Sequence, residues 1–277
     1  MAAQKFGTDE LLILGSGGGR YNAVSQKRST GGFILRALNG KVQCHIDPGP
    51  GAIRDVHAYH ARPEKTNYIF LTHRHNDHCM SIPIIIEALQ DDLGFHTKKG
   101  TIVAPQDYIS SGQLDPYYNT LLERIISVNQ DETHNLEPGF IISTTPTIHG
   151  KVQNVGYIME FGPIGDYHYK IAFTSDTAYF DTYVKSYKGV DILVANLLRP
   201  DNHYCKGHLC TEEIIPLLQQ INPRVCVLTH LGAHMNDERQ KDIINIQTDK
   251  IQKEMPPSVH IIGSVDGLLL KFCELLM

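Results

Sequence analysis

The sequence predicts an α/β protein, a four-layer αββα sandwich of two mixed β-sheets packed together with helices outside. Three observations predict it. Short apolar runs rich in Ile and Val recur between Gly, Pro and Asn/Asp clusters, and they outnumber the helical patches. The early runs follow one another closely enough to form hairpins. The later runs alternate with helical segments.

The strand runs are LLIL (11–14), FILRAL (33–38), VQCHID (42–47), YIFL (68–71), TIVA (101–104) and FIIST (140–144). VGYIMEF (155–161), KIAFT (170–174), DILVA (191–195), VCVLT (225–229), VHII (259–262) and LLLKF (268–272) follow. SIPIIIEALQ (81–90) reads as a helix with its proline early, where a helix tolerates one. TEEIIPLLQQI (211–221) is a second helix, with Thr211 as its expected cap and two acidic residues suiting its positive end. Pro216 should kink or shorten it. In 242–255, Ile244, Thr248, Ile251 and Met255 mark one helical face, and Pro256-Pro257 stops it. Residues 105–139 are the least regular stretch and are expected to hold an insertion or lid. No internal repeat or long linker divides the 277 residues, so one domain over 1–277 is expected.

Composition narrows the function classes. Charged residues are 20% and hydrophobic residues 42%, a globular balance that argues against disorder. The formal net charge is −5 and Lys98-Lys99 is the nearest approach to a basic run, so nothing demands a nucleic-acid-binding face. No apolar run approaches the roughly 20 residues of a membrane span. The six cysteines form no CxxC pair and no secretory apolar segment opens the chain, which predicts a reduced, cytoplasmic protein with cysteines as small core residues.

The chemistry is concentrated in THRHNDHC (72–79), which follows the apolar run YIFL and precedes a helix. Strand ends that feed helix starts are where open sheets place reactive groups. His73 and His75 are two apart, so an extended backbone aims both to one side. Asp77 and His78 fall in the turn and can point elsewhere. One short loop can therefore supply two ligand pairs. Imidazole with carboxylate suits Zn, Mn, Fe or Ni without a thiolate. The bland alternative is a solvated loop that happens to be rich in histidine.

HRHNDH (73–78) resembles the HxHxDH motif of the metallo-β-lactamase superfamily. That family also has a later lone histidine, an aspartate after a strand and a histidine after another strand. His149 follows FIISTTPTI, Asp176 lies in TSDTAYF and His230 in LTHLG, in that order. Alone, each of the three is an ordinary polar group at a strand end. The resemblance runs from about Leu11 to the last strands and implies the metallo-β-lactamase fold. It further implies His73, His75 and His149 on one metal ion, Asp77, His78 and His230 on another, and Asp176 between them. Two divalent ions roughly 3.5–4 Å apart, Zn first among them with Mn or Fe as alternatives, make a bridging water available as hydroxide at neutral pH. Asp77 is then the group that orients it. Flavo-diiron relatives carry a carboxylate where this chain has His75, so hydrolysis is expected.

NLLRPDNHYCKGHLCTEE (196–213) resembles the phosphodiesterase branch, which includes tRNase Z and cyclic-phosphate phosphodiesterases. There a non-ligand histidine faces the scissile phosphate, and His208 stands in that place, 22 residues before His230. Glu212 and Glu213 are candidates to orient it; the alternative is that His208 only caps a helix. Arg199, His203 and Lys206 share the loop and are candidate phosphate-binding residues if they face inward. GSGGGR (15–20) lacks the spacing of a phosphate-cradling loop, so a tight turn near the metal site is expected. Asp47 either hydrogen-bonds a ligand histidine or caps its turn.

The expected activity is a metal-dependent phosphodiesterase acting on a cyclic nucleotide, another small phosphodiester or an RNA 3′ end. The alternatives are a lactonase or other carboxylic ester or thioester hydrolase, and a metal-stabilised binding protein without turnover. No Gly/Pro-rich arm for gripping tRNA is evident. A homodimer is expected from the resemblance and from the frequency of two-fold assemblies.

Overall fold

The computed structural model describes residues 7–90, 98–237 and 242–276. Fifteen strands are found among them: β1 (Glu10–Ile13), β2 (Phe33–Ala37), β3 (Val42–Ile46), β4 (Tyr68–Phe70), β5 (Thr101–Pro105), β6 (Arg124–Val128), β7 (Thr133–Glu137) and β8 (Phe140–Thr145). Then come β9 (Gly156–Ile164), β10 (Tyr167–Phe173), β11 (Ile192–Arg199), β12 (Leu209–Cys210), β13 (Val225–Thr229), β14 (His260–Gly263) and β15 (Leu269–Lys271). The helices are α1 (Gly19–Ser25), α2 (Ala52–Ala58), α3 (Asn76–Cys79), α4 (Ile82–Leu89), α5 (Gln106–Ser110), α6 (Pro116–Asn119), α7 (Tyr183–Tyr187), α8 (Thr211–Ile221), α9 (Asp242–Lys253) and α10 (Phe272–Leu275).

One sheet runs β15-β1-β2-β3-β4-β5-β6 and the other β14-β13-β11-β10-β9-β8-β7, with β12 added beside β11. Both are mixed. β1, β2 and β3 pair antiparallel and β3 through β6 parallel. In the second sheet β7 to β10 are antiparallel, and β10, β11, β13 and β14 are parallel.

Period-two alternation builds the four layers. Leu11, Ile13, Leu35, Phe70 and Val103 of the first sheet share one core with Tyr157, Phe161, Ile171, Val194 and Val227 of the second. The intervening residues face outward. Leu12, Ile34, Ile69 and Ile102 pack under α2 and α4. Leu193, Cys226 and Leu228 pack under α7, α8 and α9. Every strand run read from the sequence falls on a strand, and the two sheets flanked by helices are as expected.

Three local readings are corrected. Residues 105–139 carry β6 and β7, which extend one sheet each, together with α5 and α6. Their irregular appearance reflects edge strands with exposed polar faces, such as Thr133 and Asn135 in β7. The cap of α8 is Cys210, whose backbone N–H donates to Glu213, while the Thr211 hydroxyl is buried against Gln247. Pro216 sits inside α8 without shortening it, for the helix runs on to Ile221 and ends on left-handed Asn222. In α9, Gln247 joins Ile244 and Ile251 on the buried face because it holds Thr211 and Asp201. The six cysteines are all free thiols.

His45 is fully buried on β3, and its Nε2 lies 2.9 Å from the Gly31 carbonyl. Burial pushes its pKa down to about 4, so it is a neutral donor in the folded protein. In the unfolded chain the same imidazole titrates near pH 6.5. Between about pH 6.5 and 4 only the unfolded state takes up this proton, so stability falls as acid is added. His45→Gln keeps a donor for Gly31 and removes the titration. Urea unfolding should show the parent protein losing about 2 kcal/mol more than the variant between about pH 7 and pH 5. Parallel losses would show that His45 is not the titrating group.

Candidate metal centre

The site lies where strands from both sheets end. β3 stops at Ile46, and Asp47 follows in a left-handed conformation (φ 51°) that aims its carboxylate across the neighbouring strand end. Its Oδ1 accepts from the Thr72 N–H at 2.7 Å and its Oδ2 from the Thr72 hydroxyl at 2.8 Å. The chain beyond β4 is thereby held extended through His73 and His75 before it turns into α3, which carries Asp77 and His78. The second sheet contributes His149 beyond β8, Asp176 beyond β10 and His230 immediately beyond β13. Ser175 (φ 60°) and His230 (φ 56°) are also left-handed. Such backbone is costly for residues other than glycine, and clusters of it mark functional loops.

Short bridges seam the sheets here, between His73 and Asn154 and between Gly17 and Leu231. The glycine run fulfils its expectation as a turn beside the site. A β-carbon on Gly18 would overlap the His230 ring, so no larger residue fits. The N–H of Gly19 donates to Asp77 Oδ2 at 2.7 Å.

The ring nitrogens converge. His73 Nε2 and His149 Nε2 lie 2.9 and 3.1 Å from His75 Nδ1. His230 Nε2 lies 3.1 Å from His78 Nε2 and 3.3 Å from Asp77 Oδ2. Between the two triplets stands Asp176. Its Oδ2 is 3.6 Å from His78, 3.8 Å from His149 and 3.9 Å from His73, and its Oδ1 is 3.2 Å from His230. Each group's donor atoms fall within 4.8 Å of one another. Three of the outer nitrogens are taken. His78 Nδ1 donates to Asp47 at 2.9 Å, His149 Nδ1 to the Gly207 carbonyl at 2.9 Å, and His73 Nδ1 to the Thr72 hydroxyl at 3.1 Å. Fixing one nitrogen in this way leaves the other as a lone pair aimed inward. Lone pairs that face each other at such separations repel unless a proton or a cation lies between them. The residues therefore fit divalent-cation binding.

The electrostatics agree. Burial, then the neighbouring imidazoles, hold His73 well below the usual histidine range and lower His75 as well. Burial works to raise Asp77 and Asp176, yet facing histidines, His78 for Asp77 and His230 for Asp176, hold both well below the carboxylate range. Burial works to lower His78, but Asp77, Asp47 and Asp176 raise it well above its ordinary value. A bound cation would displace the proton these carboxylates otherwise hold on His78.

His208 also reaches the cluster. Its Nδ1 is 3.6 Å from Asp176 Oδ2, its ring packs 4.7 Å from that of His149, and burial pushes its pKa down to about 4. Glu212 and Glu213 do not orient it. Glu212 accepts from the Asn202 N–H and Glu213 from the Cys210 N–H. A cavity of about 570 Å³ opens onto His75, Asp77, His149, Asp176 and His208. Arg199, His203 and Lys206 are not in its wall. Asp201 pairs with Lys250 at 2.7 Å and bonds Gln247, which draws their loop onto α9. His203 instead packs 4.8 Å from His234, and Lys206 is exposed. The cations in the cavity wall are Arg20 and Arg74. Asn196, which donates to Asp176 Oδ1 at 2.8 Å, was also missed. Its signal was its place two residues beyond Val194, the partner of Phe173 in the parallel β10–β11 ladder.

A family model described as the beta-lactamase superfamily domain matches residues 43–231, and these carry all seven converging ligand candidates. The chain belongs to the metallo-β-lactamase superfamily. The chain is a metal-dependent hydrolase of that superfamily. The chain is 32% identical over 237 residues to the uncharacterized protein MJ1374 of Methanocaldococcus jannaschii, covering 82% of this chain and 85% of that one. It is 24% identical over 272 residues to ribonuclease Z of Sulfolobus acidocaldarius, covering 81% of this chain and 88% of the relative. Among solved structures, the metallo-β-lactamase fold protein YhfI of Bacillus subtilis superposes with a TM-score of 0.74 at 20% identity over 95% of this chain and 98% of that one. No helix among the described residues is long and apolar enough to cross a membrane.

Asp47→Asn tests the orienting bond. Asparagine still accepts from the Thr72 N–H but can present an amide N–H to His78 Nδ1. Metal affinity, measured by chelator competition, should fall about 10- to 100-fold. Unchanged affinity would show that His78 needs no orienting carboxylate.

Proposed function

We propose that this superfamily member is a dinuclear metal-dependent phosphodiesterase acting on a cyclic nucleotide, another small phosphodiester or an RNA 3′ end. His73, His75 and His149 would hold one divalent cation, Asp77, His78 and His230 the second, and Asp176 would face both. Nitrogen and oxygen donors without thiolate suit zinc, with manganese or iron as alternatives. Such a pair, when bound, supplies Lewis acidity and acidifies water at neutral pH.

The observation that carries the reading is the position of His208. It borders the cavity, faces Asp176, and lies within ligand distance of His149 and Asp176. We assign it to substrate because the other donors already complete both triplets, and catalytic centres keep a position open. With its pKa near 4, it is a neutral imidazole at pH 7. A neutral ring still carries one N–H, which can donate to the leaving oxygen of a phosphodiester. Asp77, kept ionised beside His78 and His230 and held by the Gly19 N–H, accepts a hydrogen bond from the attacking water. The Sulfolobus relative is by name a ribonuclease, which supports phosphodiester chemistry.

His208→Ala should lower kcat toward bis-p-nitrophenyl phosphate by about 10²- to 10⁴-fold while hydrolysis of a lactone changes far less. Chelation should abolish both activities, and zinc should restore them. Two bound metal ions with no turnover of any ester would overturn the proposal. Equal losses on phosphodiester and lactone would instead point to a carboxylic ester hydrolase.

A further inference from the structure

The cavity has a second half that the proposed chemistry does not use. One face of α1 forms part of its wall, with Arg20, Ala23 and Val24 spaced i, i+3 and i+4. Met80, at the end of α3, stands in the same wall. Val24 is 80% exposed and Met80 62% exposed. Two bare apolar side chains thus line the same recess as the candidate ligands His75, Asp77, His149 and Asp176.

Arg20 is placed against local preference. It occupies the first turn of α1, where a cation opposes the helix dipole, and no acidic residue shares that turn. Among the described residues no side chain pairs with it. The other cation of the cavity, Arg74, is held by Asp107 at 2.9 Å. A residue that breaks a local rule without a partner of its own marks a functional demand. The cavity volume, about 570 Å³, is that of a site for one small molecule.

We propose that Arg20 binds an anionic phosphoryl oxygen of the substrate and that Val24 and Met80 form an apolar shelf for a flat organic substituent. The ligand class is therefore a nucleotide, with its phosphate between Arg20 and the metal cluster and its base on the shelf. This deepens the phosphodiesterase reading and rests on it for the reaction, though not for binding. Arg20 confers preference for anionic over neutral esters. The shelf confers preference for nucleotide over alkyl phosphodiesters.

The test uses the metal-loaded full chain and two readouts. The first is calorimetric titration with adenosine 5′-monophosphate. The second is steady-state hydrolysis of the p-nitrophenyl ester of thymidine 5′-monophosphate and of neutral p-nitrophenyl acetate. Arg20→Gln should weaken nucleotide binding and raise KM for the nucleotide ester about tenfold, the scale of one lost charge-assisted hydrogen bond. The same variant should shift KM for the neutral ester far less. Lys41→Gln, which removes an equal charge at the opposite end of β3, should leave both readouts unchanged. Val24→Ser should weaken adenosine 5′-monophosphate while sparing a parallel titration with inorganic phosphate more than Arg20→Gln does. Metal content and circular dichroism confirm that each variant is folded and loaded. Turnover of the nucleotide ester without any effect of Arg20→Gln overturns this inference and leaves the phosphodiesterase reading standing. Arg20-dependent nucleotide binding without turnover of any phosphodiester does the reverse. An equal effect of Lys41→Gln would assign the change to net charge and also overturn it.

Discussion

Three carboxylates and six imidazoles crowd into one small, largely buried site, and neither set could be packed there alone. Asp77 and Asp176 would be neutralised by desolvation if they lacked cationic or hydrogen-bonding partners. The histidines, packed nitrogen to nitrogen, would repel. Interleaved, each group removes the other's penalty, and the pKa values of Asp77 and Asp176 fall below the ordinary range in spite of burial. The same mutual dependence makes the cluster receptive to cations, because a divalent ion satisfies both kinds of donor at once.

The fold is arranged to bring these donors together. A strand end offers backbone free of its ladder, and parallel strands put many such ends on one edge. β3, β4, β10, β11 and β13 all run toward the site, so Asp47, the loop of His73 to His78, Asp176, Asn196 and His230 arrive there without a long excursion. The left-handed residues at three of these ends are the cost of turning sharply. Glycine is needed where two chains nearly touch, as Gly18 does with His230, and this explains a glycine run that satisfies no phosphate-loop pattern.

Much of this was legible in the sequence, for identifiable reasons. Short unbroken apolar runs such as LLIL, YIFL and DILVA, bounded by turn residues, read as strands buried on both faces, and the structure sorts their successive residues between separate cores. The seven residues from His73 to His230 were legible because motif spacing survives independently of side-chain packing, and they do converge. What failed depended on distant contacts. β6 and β7 are edge strands whose exposed faces lack alternation. Thr211 lost its role as a cap to a bond with Gln247, thirty-six positions away. The loop of Arg199, His203 and Lys206 lies outside the cavity wall, beside the Asp201–Lys250 pair that no local pattern announces. Arg20 escaped notice because its significance lies in what it lacks, a partner, and in a cavity wall that exists only after folding.

Each donor triplet draws on both sheets. His73 and His75 extend from the first and His149 from the second; Asp77 and His78 belong to the first and His230 to the second. A cation held by either triplet is thus a cross-link between the two halves of the sandwich, tied at the same edge as the His73–Asn154 and Gly17–Leu231 bridges. Because unfolding scatters these ligands, affinity for the cation becomes stability of the sheet-to-sheet packing. The apolar core between the sheets supplies adhesion without direction. A cation bound there would supply direction at one edge, fixing the strand ends relative to each other on the scale a reaction requires. Catalytic geometry and the closing of the sandwich are in that sense one constraint, imposed by the same side chains.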